Sequence, residues 1–112
     1  MKEIKAIIRP GKLPRVREAL RKLPGFPGMT VSPAEGFSAP SRLAPARTIK
    51  HELTDYSAKA HLEIIAPDDI TAAIVETIRT CAATGQLGDG LVWVKQIETF
   101  WRIDGGAANG QT

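Results

Sequence analysis

The sequence has a single cysteine, Cys81, so it can close no internal disulfide, and it suits a reducing compartment. Aromatic residues are scarce: only Phe26, Phe37, Tyr56, Trp93, Phe100 and Trp101 occur, none interleaved with basic clusters. A stacking platform for single-stranded nucleic acid is therefore not expected. No apolar run approaches the length of a membrane span, so direct membrane insertion is not expected. The opening residues read as a strand and not as a secretory leader, and the expected location is the cytoplasm. With two histidines and one cysteine, neither a Ser/His/Asp nor a Cys/His set emerges, and no catalytic residue is assigned. The net charge of +3 is mild and does not by itself imply nucleic acid.

What is present is strong periodicity. Lys2 to Arg9 alternates, with Ile4, Ala6 and Ile8 on one face, and predicts a strand that Pro10-Gly11 ends. Leu13, Val16, Leu20 and Leu23 then follow helical spacing, with Arg15, Arg17, Glu18 and Arg21 on the solvated side. The turn Pro24–Gly28 stops that helix. Met29 to Phe37 predicts a second strand, and Pro33 assigns it to a sheet edge or a bulge. Ala58 to Ile65 alternates again. Pro67-Asp68-Asp69 starts a helix whose buried stripe is Ile70, Ile74, Ile78 and Cys81 or Ala82, and acidic residues suit its positive end. Leu91 to Phe100 predicts a fourth strand, with Val92 and Val94 on one face. The order is βαββαβ, an α+β chain of ferredoxin-like pattern in one domain.

Two segments carry no period. Ser38 to about Tyr56 is a long loop holding Arg42, Arg47 and Lys50, and loops of that length are usually functional. Thr84-Gly85-Gln86-Leu87-Gly88-Asp89-Gly90 has three glycines and an aspartate between helix and strand. Such a loop can turn several N–H groups toward one anion, a phosphate above all. It can equally be a plain connection, with Gly85 capping the helix and Asp89-Gly90 turning the chain. The glycines follow a helix instead of preceding one, so the negative end of its dipole is nearer and an anion would need cations from elsewhere. Cys81 reads as a small core residue. His51, Glu52, Asp55 and His61 match no metal-ligand spacing, and no metal site is assigned.

These stretches together resemble the PII (nitrogen-regulatory P-II) signal-transduction family from Met1 to about Gly106. The resemblance rests on Lys2–Pro10, Pro27–Val31, Gly36-Phe37, Glu63–Asp69, the Thr84–Gly90 loop and Arg102-Ile103. It implies a domain over 1–106 with a T-loop at about 38–57, a B-loop at 84–90 and a C-loop at about 102–106, followed by a mobile tail, 107–112. It also implies a non-enzymatic homotrimer binding adenine nucleotide between subunits. Gly36, Phe37, Ser38, Glu63, Ile65, Gly88, Asp89 and Gly90 would line one side, and Gly28, Met29, Thr30 and Arg102 the neighbour's side. Arg102 would supply the phosphate cation.

The chain departs from the family pattern where phosphates and effector would bind. Leu91 replaces a basic residue after the B-loop and Asp104 replaces a second C-loop arginine. Each lost charge-assisted contact is worth roughly 1.5–3 kcal/mol, so ADP or AMP is expected over ATP. Pro40 stands for the glutamine that helps hold 2-oxoglutarate, and Glu52 for the uridylylated tyrosine. The stretch Phe26–Ser32 is similar to divergent relatives tied to transport. A small anion such as bicarbonate is thus a candidate co-ligand, and a membrane transporter or regulated enzyme, engaged by the T-loop, a candidate partner. No prosthetic cofactor is expected. The alternatives are nitrogen regulation as such, and a metal-responsive trimer akin to CutA-type proteins and linked to metal transport.

Overall fold

Strand β1 (Lys2–Ile8) is the centre of the molecule. Its alternation places Ile4, Ala6 and Ile8 at 2% exposure or less, against one face only. A computed structural model of the chain describes residues 1–37 and 56–105. Within them β1 pairs antiparallel with β3 (Ser57–Ala66) on one side and with β4 (Gly90–Gln96) on the other. Strand β2 (Thr30–Gly36) pairs antiparallel with β3, so the four-stranded sheet runs β2-β3-β1-β4. This is the ferredoxin-like α+β arrangement. Pro33, opposite Ala60, lies on an edge strand, the place in a sheet where proline is tolerated.

Helix α1 (Leu13–Arg21) follows a 3-10 turn over Pro10–Lys12. Pro14 in the first helical turn loses nothing, because that N–H has no intrahelical acceptor. Val16 and Leu20, one turn apart, are fully buried. Helix α2 (Asp68–Ala82) buries Ile74, Ile78 and Ala82 in the same core. Thr71, also buried, donates its hydroxyl to the Pro67 carbonyl at 3.0 Å, so no polar atom is left stranded there. Cys81 is a free thiol packed at the core's margin.

Two local expectations are revised. Helix α1 stops at Arg21, and Leu23 reaches the core from a turn closed by its N–H on the Leu20 carbonyl, 3.0 Å. Strand β4 ends at Gln96, not Phe100: Gln96 faces Lys2, the first residue of β1, and among the described residues β4, an edge strand, has no second partner. A bond from the Ile97 N–H to the Met1 carbonyl at 3.2 Å extends the pairing. Val92 and Val94 share the core face as expected, opposite Ala6 and Ile4, and Val94 is 41% exposed because it stands on that same edge strand.

Both helices pack on the face that carries Ile4, Ala6 and Ile8. The register puts Ile7, Lys59, His61, Glu63, Ile65, Leu91 and Trp93 on the opposite face. Leu91 is 70% exposed there and Trp93 36%. No helix of the described residues is long and apolar enough to cross a membrane.

Candidate functional site

The glycine loop is closed by its own aspartate. Helix α2 is followed by Ala83 in an extended conformation, so Gly85 is not the cap that spacing suggested. Instead the Gly85 N–H donates to Asp89 Oδ2 at 3.0 Å and the Thr84 N–H to the same oxygen at 2.7 Å. The Thr84 hydroxyl and Arg9 Nε donate to Asp89 Oδ1, the latter at 3.0 Å. The Thr84 hydroxyl above all, then its amide, the Arg9 guanidinium and the Gly85 amide hold the Asp89 carboxyl far below the usual carboxylate range. A concave set of N–H groups is therefore present, and the anion inside it is Asp89.

Two cations fasten the loop from outside. Arg9 Nη2 donates to the Leu87 carbonyl and Lys59 Nζ to the Gly88 carbonyl, each at 2.8 Å. They supply positive charge beside the C-terminal end of α2, where the helix dipole is unfavourable to anions. Sequence reasoning missed both in this role. The signal was available for Arg9: with Ile8 opposite Gly90, one more step of antiparallel register sets Arg9 opposite Asp89. Lys59 looked like one polar residue among several on the non-core face of β3.

Gly90 joins the loop to the sheet at φ +120°, and a Cβ there would stand 1.8 Å from the Ile7 carbonyl oxygen. Gly36 lies against Lys59, with a would-be Cβ 3.2 Å from Lys59 Cγ, so Gly36, Lys59 and Gly88 form one neighbourhood. Phe37 stacks on Tyr56, ring centroids 5.3 Å apart, at the two ends of the 38–55 segment. Ser38 and the rest of that segment, including Pro40, His51, Glu52 and Asp55, lie outside the described residues, as do 106–112.

The second set of predicted residues forms a separate cleft of about 690 Å³, lined by Gly28, Met29, Thr30, Glu63, Ile65 and Arg102 together with Phe100. Glu63 and Ile65, which pair with Thr30 and Glu3, line this cleft. The loop meets β1 at Ile8, whereas the cleft adjoins its first half. Arg102 does not reach out alone: Nε and Nη2 grip Asp104 at 2.9 and 2.6 Å, which raises the guanidinium's affinity for its proton. The described residues predicted for the site thus fall into two separate groups, one with Gly36, Phe37, Gly88, Asp89 and Gly90 at the loop, the other with Gly28–Thr30, Glu63, Ile65 and Arg102 at the cleft.

His61 has Ser32 Oγ at 3.4 Å from Nδ1 and Glu63 at 3.8 Å from Nε2. Among the described residues no group of three His, Cys, Asp or Glu is placed to hold a metal ion.

A ferredoxin-like domain with a caged glycine loop and a separate cleft defines a class of small α+β domain built around a loop between helix and edge strand. Comparison with known proteins narrows the class. The family described as nitrogen regulatory protein P-II matches residues 1–107. The chain is 39% identical over 103 residues to the nitrogen regulatory protein P-II of Bradyrhizobium diazoefficiens, covering 92% of this chain and 91% of that protein. Over the same shares it is 37% identical to the P-II protein of Rhizobium meliloti and 40% identical to nitrogen regulatory protein P-II 1 of Escherichia coli K12. The chain belongs to the P-II family of signal-transduction proteins.

Proposed function

We propose that this P-II protein is a homotrimeric sensor that binds adenine nucleotide between subunits and passes the signal to a partner protein through its T-loop, about 38–57. The observation that carries this is the split site. A nucleotide needs an apolar wall for its base and cations for its phosphates: Met29 and Ile65 line the cleft with Arg102, and the cations Arg9 and Lys59 stand apart at the loop. Juxtaposing two chains would bring the loop of one to the cleft of the next. The sheet face without helices supports association as well, since Ile7, Ile65, Leu91 and Trp93 share it and Leu91 and Trp93 are substantially exposed.

The nucleotide preference follows from charge. Arg102 is already neutralised by Asp104, and an apolar Leu91 follows Gly90. Both features weigh against the β- and γ-phosphates, so ADP or AMP is favoured over ATP. Arg9 and Lys59 provide the remaining positive charge at the loop, which suits a small anion such as bicarbonate beside the nucleotide. Ligand binding shifts the T-loop only through differential affinity for its states. The partner is a membrane transporter or a regulated enzyme met in the cytoplasm.

Identity of about 40% along nearly the whole chain to proteins named for nitrogen regulation favours a second reading, nitrogen regulation as such. Pro40 and Glu52 count against its 2-oxoglutarate and uridylylation branches. The test is paired substitution at the C-loop. Arg102→Ala should weaken nucleotide binding at least tenfold, about 1.4 kcal/mol. Asp104→Ala, by releasing Arg102, should strengthen ATP more than AMP. Unchanged affinities in both variants would refute the placement of the phosphates.

A further inference from the structure

The positive charge of the chain is concentrated on one short helix. Residues 12–22 carry Lys12, Arg15, Arg17, Arg21 and Lys22 against Glu18 alone, a local net charge of +4; since the whole chain is +3, everything else sums to −1. Val16 and Leu20 turn inward and are fully buried, and Arg15, Arg17, Arg21 and Lys22 are exposed. On the helical wheel Arg17, Arg21, Lys22 and Arg15 follow one another around the outer arc, with Glu18 in its middle. Glu18 accepts from Arg21 at 2.7 Å (Nη2 to Oε1) and 3.3 Å (Nε to Oε2). The nucleotide half-sites use none of these side chains.

We infer that the outer face of α1 is a second docking surface, made for an acidic segment of a partner protein and separate from the T-loop. The chemistry selects carboxylates over other polyanions. Three of the four exposed cations are arginines, whose planar fork matches a carboxylate in two-point contact, and the Glu18–Arg21 pair shows that geometry on this very face. The apolar side chains of α1 are spent in the core, so none is left to enter a bilayer. The helix bears no aromatic side chain to stack on a base, and Glu18 in the middle of the arc repels a continuous phosphate track. A helix of 9 residues presents a face ~13 Å long, the reach of four extended residues. A short acidic run fits it.

The experiment uses the full chain and a fluorescent oligoglutamate peptide, with phosphatidylglycerol vesicles and duplex DNA as parallel probes. Arg15→Glu with Arg17→Glu is compared with Lys2→Glu with Arg79→Glu, which makes the same change in net charge but leaves α1 and the T-loop intact. The peptide should bind the unaltered protein and weaken at least about tenfold between about 50 and 200 mM salt. The α1 double variant should lose about tenfold or more in affinity, and the control double variant less than threefold. Adenine-nucleotide binding should be unchanged in the α1 variant, which separates this surface from the nucleotide site. Equal losses in the two variants would reduce the effect to overall charge and overturn the proposal. Binding of vesicles or DNA in preference to the peptide would overturn the assigned partner.

Discussion

Replacing Gly90 by alanine tests how the loop is anchored. The residue sits at φ +120°, a conformation that strains an L side chain by about 1–3 kcal/mol. Its new Cβ would stand 1.8 Å from the Ile7 carbonyl oxygen, where ordinary contact needs about 3.5 Å. Backbone lies on both sides, so the strands must part by more than an ångström at the Ile8–Gly90 pair. One or two ladder hydrogen bonds, at about 1 kcal/mol each, would be strained or lost. The sum is about 2–5 kcal/mol, which for a domain of this size lowers the Tm by roughly 10 °C or more. Gly85→Ala is the internal comparison: φ is +81° but no atom lies within 4 Å of the added carbon, so only the backbone term, about 1–2 kcal/mol, applies. Urea and thermal unfolding at matched protein concentration would measure both. A Gly90→Ala variant no less stable than Gly85→Ala would refute the steric account of this junction.

Other consequences centre on Asp89. Its carboxyl is depressed by its partners, so the stability it lends the loop is complete above the unfolded carboxylate value of about 3.9 and is lost as pH falls through the lower folded value. Hydrogen exchange at the Thr84 and Gly85 amides should therefore lose protection only in acid, and Asp89→Asn should erase that pH dependence. Persistence of the same acid transition in the variant would assign it to another group. Arg9→Ala removes donors to both Asp89 and the Leu87 carbonyl, so faster exchange across 84–89 and roughly tenfold weaker nucleotide binding are expected. Wild-type exchange and affinity would show that Lys59 suffices. In the core, Leu20→Ala should cost about 2–5 kcal/mol in urea unfolding; a loss below 1 kcal/mol would mean that α1 repacks around the gap.

The fold was legible because period two and period 3.6 alternate cleanly: Ile4, Ala6, Ile8 and Ala60, Leu62, Ile64 are the buried sets their spacing predicts. Boundaries set by a partner strand were not. The end of β4 depends on where β1 begins, which no property of residues 97–100 announces. In the site, composition marked the glycine loop but not its state. Thr84 and Asp89 are five residues apart, and only the bend of the intervening chain brings the carboxylate back onto two amides. Arg9 reaches the loop from the end of the neighbouring strand β1 and Lys59 from β3, two strands away from β4; they lie 80 and 29 positions away in sequence from Asp89 and Gly88. Asp104 was visible as a missing cation. That it also occupies the cation that remains, Arg102, is a fact of local geometry.

The central claim is that two half-sites of this P-II chain meet across subunits to hold an adenine nucleotide. Calorimetric titration of the purified protein with AMP, ADP and ATP tests it most directly, each with and without bicarbonate and with 2-oxoglutarate plus magnesium as the counter-case. The account predicts one site per chain, with ADP or AMP bound more tightly than ATP and tightened further by bicarbonate. Absence of nucleotide binding would contradict the split-site claim itself. Tight Mg-ATP binding enhanced by 2-oxoglutarate would contradict the weight placed on Pro40, Leu91 and the Arg102–Asp104 pair.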